Sequence, residues 1–108
     1  MVMANKNLNI LIVDDDKSLQ KFLTELFENQ GHKVSCLGGP EEAASVVHYK
    51  SYDLIFIDCM LPKKNGVDLA VEIKDFIGTA DLYLMSGIFK DKKFAVDSIE
   101  KTGAIDFL

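Results

Sequence analysis

The stretch I10-L-I-V-D-D-D-K-S18 runs four apolar residues, three of them β-branched, straight into three consecutive aspartates. β-Branched residues suit a buried, pleated strand, whereas aspartate is a poor strand former and adjacent carboxylates repel one another. The strand therefore ends at Val13. The acidic run then either caps a following helix or faces something cationic.

Working outward, apolar runs of strand length alternate with helical patterns. Ile10–Val13 and Leu54–Ile57 carry no polar interruption, as strands buried on both faces do. Between them Leu19, Phe22, Leu23, Leu26 and Phe27 follow the i, i+3, i+4, i+7, i+8 spacing of an amphipathic helix, with Gly31 as its stop. Lys33–Leu37 reads as a second strand, and Pro40 suits the first turn of a second helix, about 40–49. After an irregular loop, Cys59–Gly66, a third helix presents Leu69, Ala70, Ile73, Phe76 and Ile77, and Gly78 ends it. Leu82–Met85 is the fourth strand. A helix of roughly 90–102 carries Phe94, Ala95 and Ile99, Gly103 stops it, and Ala104–Leu108 is the fifth strand. Such alternation over short loops predicts one α/β domain over residues 1–108, a doubly wound five-stranded parallel sheet.

Composition narrows the function classes. The chain has 108 residues, a net charge of −5, and lysine as its sole strongly basic residue type. Without arginine there is no bidentate fork for phosphates or base edges, so direct nucleic-acid binding is not expected. No apolar run approaches the ~20 residues of a membrane span, and Met1–Asn9 lacks the apolar core of a signal peptide. A cytoplasmic protein is expected. Cys36 and Cys59, isolated and without CxxC spacing, fit that expectation as buried free thiols. His32 and His48 read as surface or turn residues, and the Lys63-Lys64 and Lys92-Lys93 pairs as solvated.

In open parallel sheets ligands bind beyond the carboxyl ends of the strands. Asp14–Asp16 follow strand one, Asp58 follows strand three and Ser86 follows strand four, so one rim collects carboxylates and a hydroxyl. Asp16 or Ser18 serves as a helix cap. Asp14, Asp15 and Asp58 together call for a hard divalent cation with oxygen ligands, such as Mg²⁺. A calcium loop of the EF-hand type would need glycine where Leu19 stands, and a helix where the strand lies. The D14-x-D16 pair also occurs in phosphatases of the haloacid dehalogenase class, but no later paired-acid motif accompanies it here.

The segments ILIVDDD (10–16), YDLIFIDCMLPKKNG (52–66), LYLMSG (82–87) and TGAIDFL (102–108) together resemble the receiver domain of bacterial two-component response regulators. The most specific phrase is the aspartate ending a strand, then M-L-P, then Gly66 eight residues after Asp58. The resemblance implies a flavodoxin-like fold with strand order 2-1-3-4-5. It implies Asp58 as phosphoacceptor, and Mg²⁺ held by Asp14, Asp15, Asp58 and the Met60 backbone carbonyl. Ser86 would contact the phosphoryl oxygens, and Phe107 would take the family's aromatic switch position. The donor would be a sensor histidine kinase or a histidine phosphotransfer protein. The chain would be a phosphoacceptor rather than an enzyme, with at most slow self-dephosphorylation. A pseudo-receiver that keeps the fold without switching is the rival reading.

The family also places a lysine at the second position beyond Leu108, and a fifth helix after it. A receiver incomplete at its C-terminus is therefore expected. Without that helix a strip along strands one and three and the flank of helix one would face water. Burying ~400 Å² of apolar strip is worth roughly 10 kcal/mol as an upper bound, so self-association is expected. Terminal strand five would be the element most readily displaced.

Overall fold

The structure is a computed structural model that describes residues 7–86 and 92–108. Its strands are β1 (Asn9–Val13), β2 (Lys33–Leu37), β3 (Leu54–Asp58), β4 (Asp81–Met85) and β5 (Asp106–Phe107). They form one sheet in the order β2-β1-β3-β4-β5, and every neighbouring pair is parallel. The helices are α1 (Lys17–Glu28), α2 (Pro40–Val46), α3 (Gly66–Ile73) and α4 (Lys92–Thr102). The expected flavodoxin-like fold is the one observed.

Side chains alternate across a strand, which divides the sheet into two faces. Leu11, Val13, Ile55, Ile57, Leu82 and Leu84 all point to one face, where they pack with Ala43 of α2 and Leu69, Ala70 and Ile73 of α3. Ile10 and Ile12 point the other way and are also fully buried. On that second face Phe27 of α1 stacks on Phe56 at 5.7 Å, and Phe56 stacks on Tyr83 at 5.4 Å.

Coverage of the second face is uneven. β3 was expected to be buried on both sides, but only Ile55 and Ile57 are; Leu54 and Phe56 are half-buried. Helix α1 contains no buried residue, and its Phe22 and Leu26 are 60% and 44% exposed. The reason is geometric: α1 packs mainly against β2, an outer strand, and reaches β3 with Phe27 alone among the described ring contacts. The expected strip is therefore not seen along strand one, whose Ile10 and Ile12 are fully buried; the exposed apolar groups on this side are Phe22 and Leu26 on the flank of α1, with Phe56 of β3 and Tyr83 of β4 half-buried beside Phe27.

Helix lengths differ from the periodicity in two places. α2 stops at Val46 because His48 and Tyr49 turn back to Ser45 and Val46 through i→i−3 bonds, which tighten the last turn. α3 closes at Ile73, well before Gly78, because the Phe76 amide donates to Ile73 O at 2.8 Å. Phe76 and Ile77 keep their apolar contacts from a turn: the Phe76 ring lies 4.3 Å from His48. The first positions expected for helix four, 90 and 91, lie outside the described residues, and the helix is described from Lys92. β5 is regular only at Asp106–Phe107, although Ile105 and Leu108 still donate to Leu82 O and Leu84 O.

Candidate functional site

Each acidic residue of the rim is placed by local backbone chemistry. Asp16 is the N-cap of α1, and its carboxylate accepts from Ser18 N (3.0 Å) and Leu19 N (3.2 Å), two donors that have no partner within the helix. Asp14 continues β1 by donating its amide to Leu37 O, and its carboxylate accepts from Asp16 N at 2.8 Å. Asp58 ends β3 opposite Met85, and its Oδ1 accepts from Met60 N at 2.9 Å. That bond fixes the rotamer of Asp58 toward the rim.

The result is a compact trio. One ligand oxygen from each of Asp14, Asp15 and Asp58 lies within 4.8 Å of the others. Asp14 is buried at 3% exposure, Asp15 is exposed and Asp58 half-buried. A cleft of about 440 Å³ opens over them, walled by Leu19, Met85, Ser86 and Leu108. Ser86 is tied into the sheet edge by donating its amide to Leu108 O at 3.0 Å.

Electrostatics in the trio is unfavourable without a counter-charge. Burial raises the Asp14 carboxyl above its ordinary value; the Asp16 amide opposes this, and the charges of Asp58, Asp15 and Asp16 raise it further. Three oxygen donors of this hardness, one of them desolvated, fit Mg²⁺ better than a soft or nitrogen-seeking metal. A carboxyl raised in the folded state holds its proton more tightly there than when unfolded. Stability therefore falls as pH rises from Asp14's unfolded value through its raised folded value, and the full cost is present at neutral pH. Asp14→Asn keeps the acceptor for Asp16 N and removes the charge. In metal-free buffer at pH 7 it is expected to melt higher than the unaltered protein, with the gap closing toward pH 4. Mg²⁺ is expected to narrow the gap from the other side by stabilising the unaltered protein more. Thermal unfolding at several pH values, with and without Mg²⁺, checks both.

The rim brings together Asp14, Asp15, Asp58 and Ser86, as read from the sequence. Met60 takes part through its amide, and its side chain is 51% exposed. Phe107 lies elsewhere: it packs against the core face and meets the Phe94 ring edge-on at 5.8 Å. Two lesser expectations shift. Cys59 is buried, but Cys36 is only half-buried, 3.2 Å from Thr24 Oγ1 on α1. Lys64 is not a free solvated side chain, for it pairs with Glu72 of α3. Lys63 is exposed and holds a left-handed backbone, φ 69°. Periodicity gave no sign of Asp53, whose carboxylate accepts from Asn9 N at 2.8 Å and ties the starts of β3 and β1.

An open parallel sheet with an aspartate trio at its carboxyl rim, one of the three ending the central strand, defines the receiver class. The chain belongs to that family: it matches the response regulator receiver domain over residues 10–108. It is 29% identical over 106 residues to the transcriptional regulatory protein ZraR of Klebsiella oxytoca, covering 98% of this chain and 24% of that protein. It is 44% identical over 59 residues to the transcriptional regulatory protein CpxR of Escherichia coli K12, covering 55% of this chain and 25% of that one. The chain thus spans about a quarter of the length of these regulators. Among solved structures, the receiver domain of Francisella response regulator 1452 superposes with a TM-score of 0.84 at 26% identity, over 94% of this chain and 83% of that one. The CheX-CheY-BeF3-Mg+2 complex of Borrelia burgdorferi gives a TM-score of 0.82 at 30% identity, over 93% and 75%.

Proposed function

We propose that this chain is the phosphoacceptor module of a two-component system, taking a phosphoryl group on Asp58 from a histidine kinase or a histidine phosphotransfer protein. The observation that carries the reading is the trio itself: three carboxylates within 4.8 Å, one of them ending the central strand and rotamer-locked by the Met60 amide. Asp14, Asp15, Asp58 and the Met60 carbonyl are the residues to hold Mg²⁺, whose charge offsets the repulsion between an incoming phosphoryl group and the trio. An Asp58 oxygen attacks phosphorus, the bond to the donor's imidazole nitrogen or acyl oxygen breaks, and the leaving group departs with that electron pair. Ser86, on the wall of the same cleft, donates its hydroxyl to the transferred oxygens. Phe107 and α4, in contact through Phe94, are the elements that respond.

The relatives support this reading. One similar structure is described as a complex with BeF3 and Mg+2, and two similar proteins are named transcriptional regulators. No described helix is long and apolar enough to cross a membrane, which accords with a cytoplasmic site of action. The test is incubation with acetyl phosphate, read by intact mass. Labelling at millimolar Mg²⁺ that chelation abolishes is expected, and a protein that stays unlabelled, or labels without metal, sinks the proposal.

A second copy of the chain is a further proposed partner, through Phe22, Leu26, Phe56 and Tyr83. The flank of α1 supports an antiparallel pairing, since Lys21 on one copy would lie between Glu25 and Glu28 of the other. Sedimentation at micromolar concentration is expected to show a dimer, and a monomer at all concentrations overturns it.

A further inference from the structure

We propose that Gln20 is a positioning residue for the acidic rim, holding the Asp14–Asp15 peptide so that the Asp15 carboxylate faces Asp58. The inference rests on the metal-binding reading above. Strand pairing in β1 ends at Val13, in register with Leu37 on one side and Ile57 on the other. The carbonyl of Asp14 therefore lies past the ladder and must find another donor. Gln20, in the second turn of α1, supplies it: its Nε2 donates to Asp14 O. The orientation of the amide is unambiguous, because Oε1 in that position would oppose the carbonyl.

The neighbouring bonds show why one side chain matters here. Asp14 N donates to Leu37 O, Asp16 N donates to Asp14 Oδ1, and Gln20 N donates to Asp16 O. All of these belong to the residues flanking Asp15, so the direction of Asp15 is set by the peptides on either side of it. Among the described residues, the bond from Gln20 is the side-chain contribution from α1 to the peptide entering Asp15. Gly38 lies beside the same groups: a Cβ there would be at ordinary van der Waals distance, 3.9 Å from the Asp15 Cα and 4.0 Å from Gln20 Nε2. The amide thus lies near the turn after β2 while it holds the Asp14 carbonyl. Without a counter-charge, repulsion among the three carboxylates favours a wider spacing of the loop. A donor tying Asp14 O to α1 opposes that spread, keeping the ligands near the spacing a cation needs.

Gln20→Met keeps the length of the side chain and removes the donor. Mg²⁺ affinity, from amide shifts in an NMR titration, is expected to fall about three- to tenfold. Hydrogen exchange of the Asp15 amide in metal-free protein is expected to quicken. Thr24→Val, lower on the same helix and against Cys36, is the control for general loosening of α1. It is expected to lower the melting temperature while leaving Mg²⁺ affinity and Asp15 exchange as they were. Gln20→Met that binds Mg²⁺ like the unaltered protein, or exchanges Asp15 at the same rate, overturns the proposal. So does Thr24→Val reproducing both effects. Should the unaltered protein take up no Mg²⁺ at all, the proposed function falls. The exchange of Asp15 in the metal-free variants then decides the positioning role by itself.

Discussion

Asp58→Asn is expected to reduce phosphoryl incorporation from acetyl phosphate by at least about a hundredfold, to background, while the protein stays folded. The amide is nearly isosteric, and its oxygen can still accept the hydrogen bond from Met60 N. What disappears is the anionic nucleophile and one of the three charges available to a cation. Loss of that charge also relieves buried Asp14, which Asp58 otherwise pushes further toward its protonated form. The metal-free variant is therefore expected to melt no lower than the unaltered protein. Fold loss and site loss thus separate. Intact mass after acetyl phosphate treatment, beside a thermal melt of the same sample, reads both. Labelling that survives would move the acceptor to another residue.

Gly66→Ala is expected to have the largest effect on stability of any single methyl group added at the rim. A Cβ at position 66 would lie 2.1 Å from the Asp58 carbonyl oxygen, 2.7 Å from its carbonyl carbon and 2.8 Å from Ile57 Cγ2. Two of those atoms are backbone of the central strand and cannot rotate away. Either α3 lifts from the sheet, opening the contacts of Val67, Leu69 and Ala70, or the end of β3 bends. Overpacking of this kind costs about 3 kcal/mol or more when the obstacle is backbone. For a domain of this size that is a fall of roughly 10–20 °C in melting temperature. Because the obstructed residue is Asp58, Mg²⁺ affinity is expected to fall as well. A melt within a few degrees of the unaltered protein would show that α3 has room to shift.

These two positions differ in how they could be read beforehand. Asp58 was legible: an apolar run of strand length, alternating with helical patterns, reads as an inner strand, and a carboxylate at the carboxyl end of such a strand falls on the ligand-binding rim. Gly66 was also singled out, but for its place in the receiver phrase, eight residues after Asp58. The structure shows the cause. Gly66 is the first residue of α3, is buried, and is excluded from bearing a side chain by contact with β3. Close approach between elements distant along the chain leaves no local mark.

The same division runs through the rest of the molecule. Local chemistry written in the sequence determined the strands, the cap at Asp16, the left-handed stops at Gly31 (φ 93°) and Gly103 (φ 75°), and the delivery of Asp14, Asp15, Asp58 and Ser86 to one rim. Each of these depends on residues adjacent in the chain or on the fixed polarity of a parallel sheet. Why Asp53 is tied to Asn9, which way Phe107 faces and what Gln20 holds were decided by tertiary structure alone. In each case the partner is a backbone group or ring brought near by packing, and the periodicity of apolar residues carries no record of hydrogen-bond acceptors left unpaired where a strand runs out.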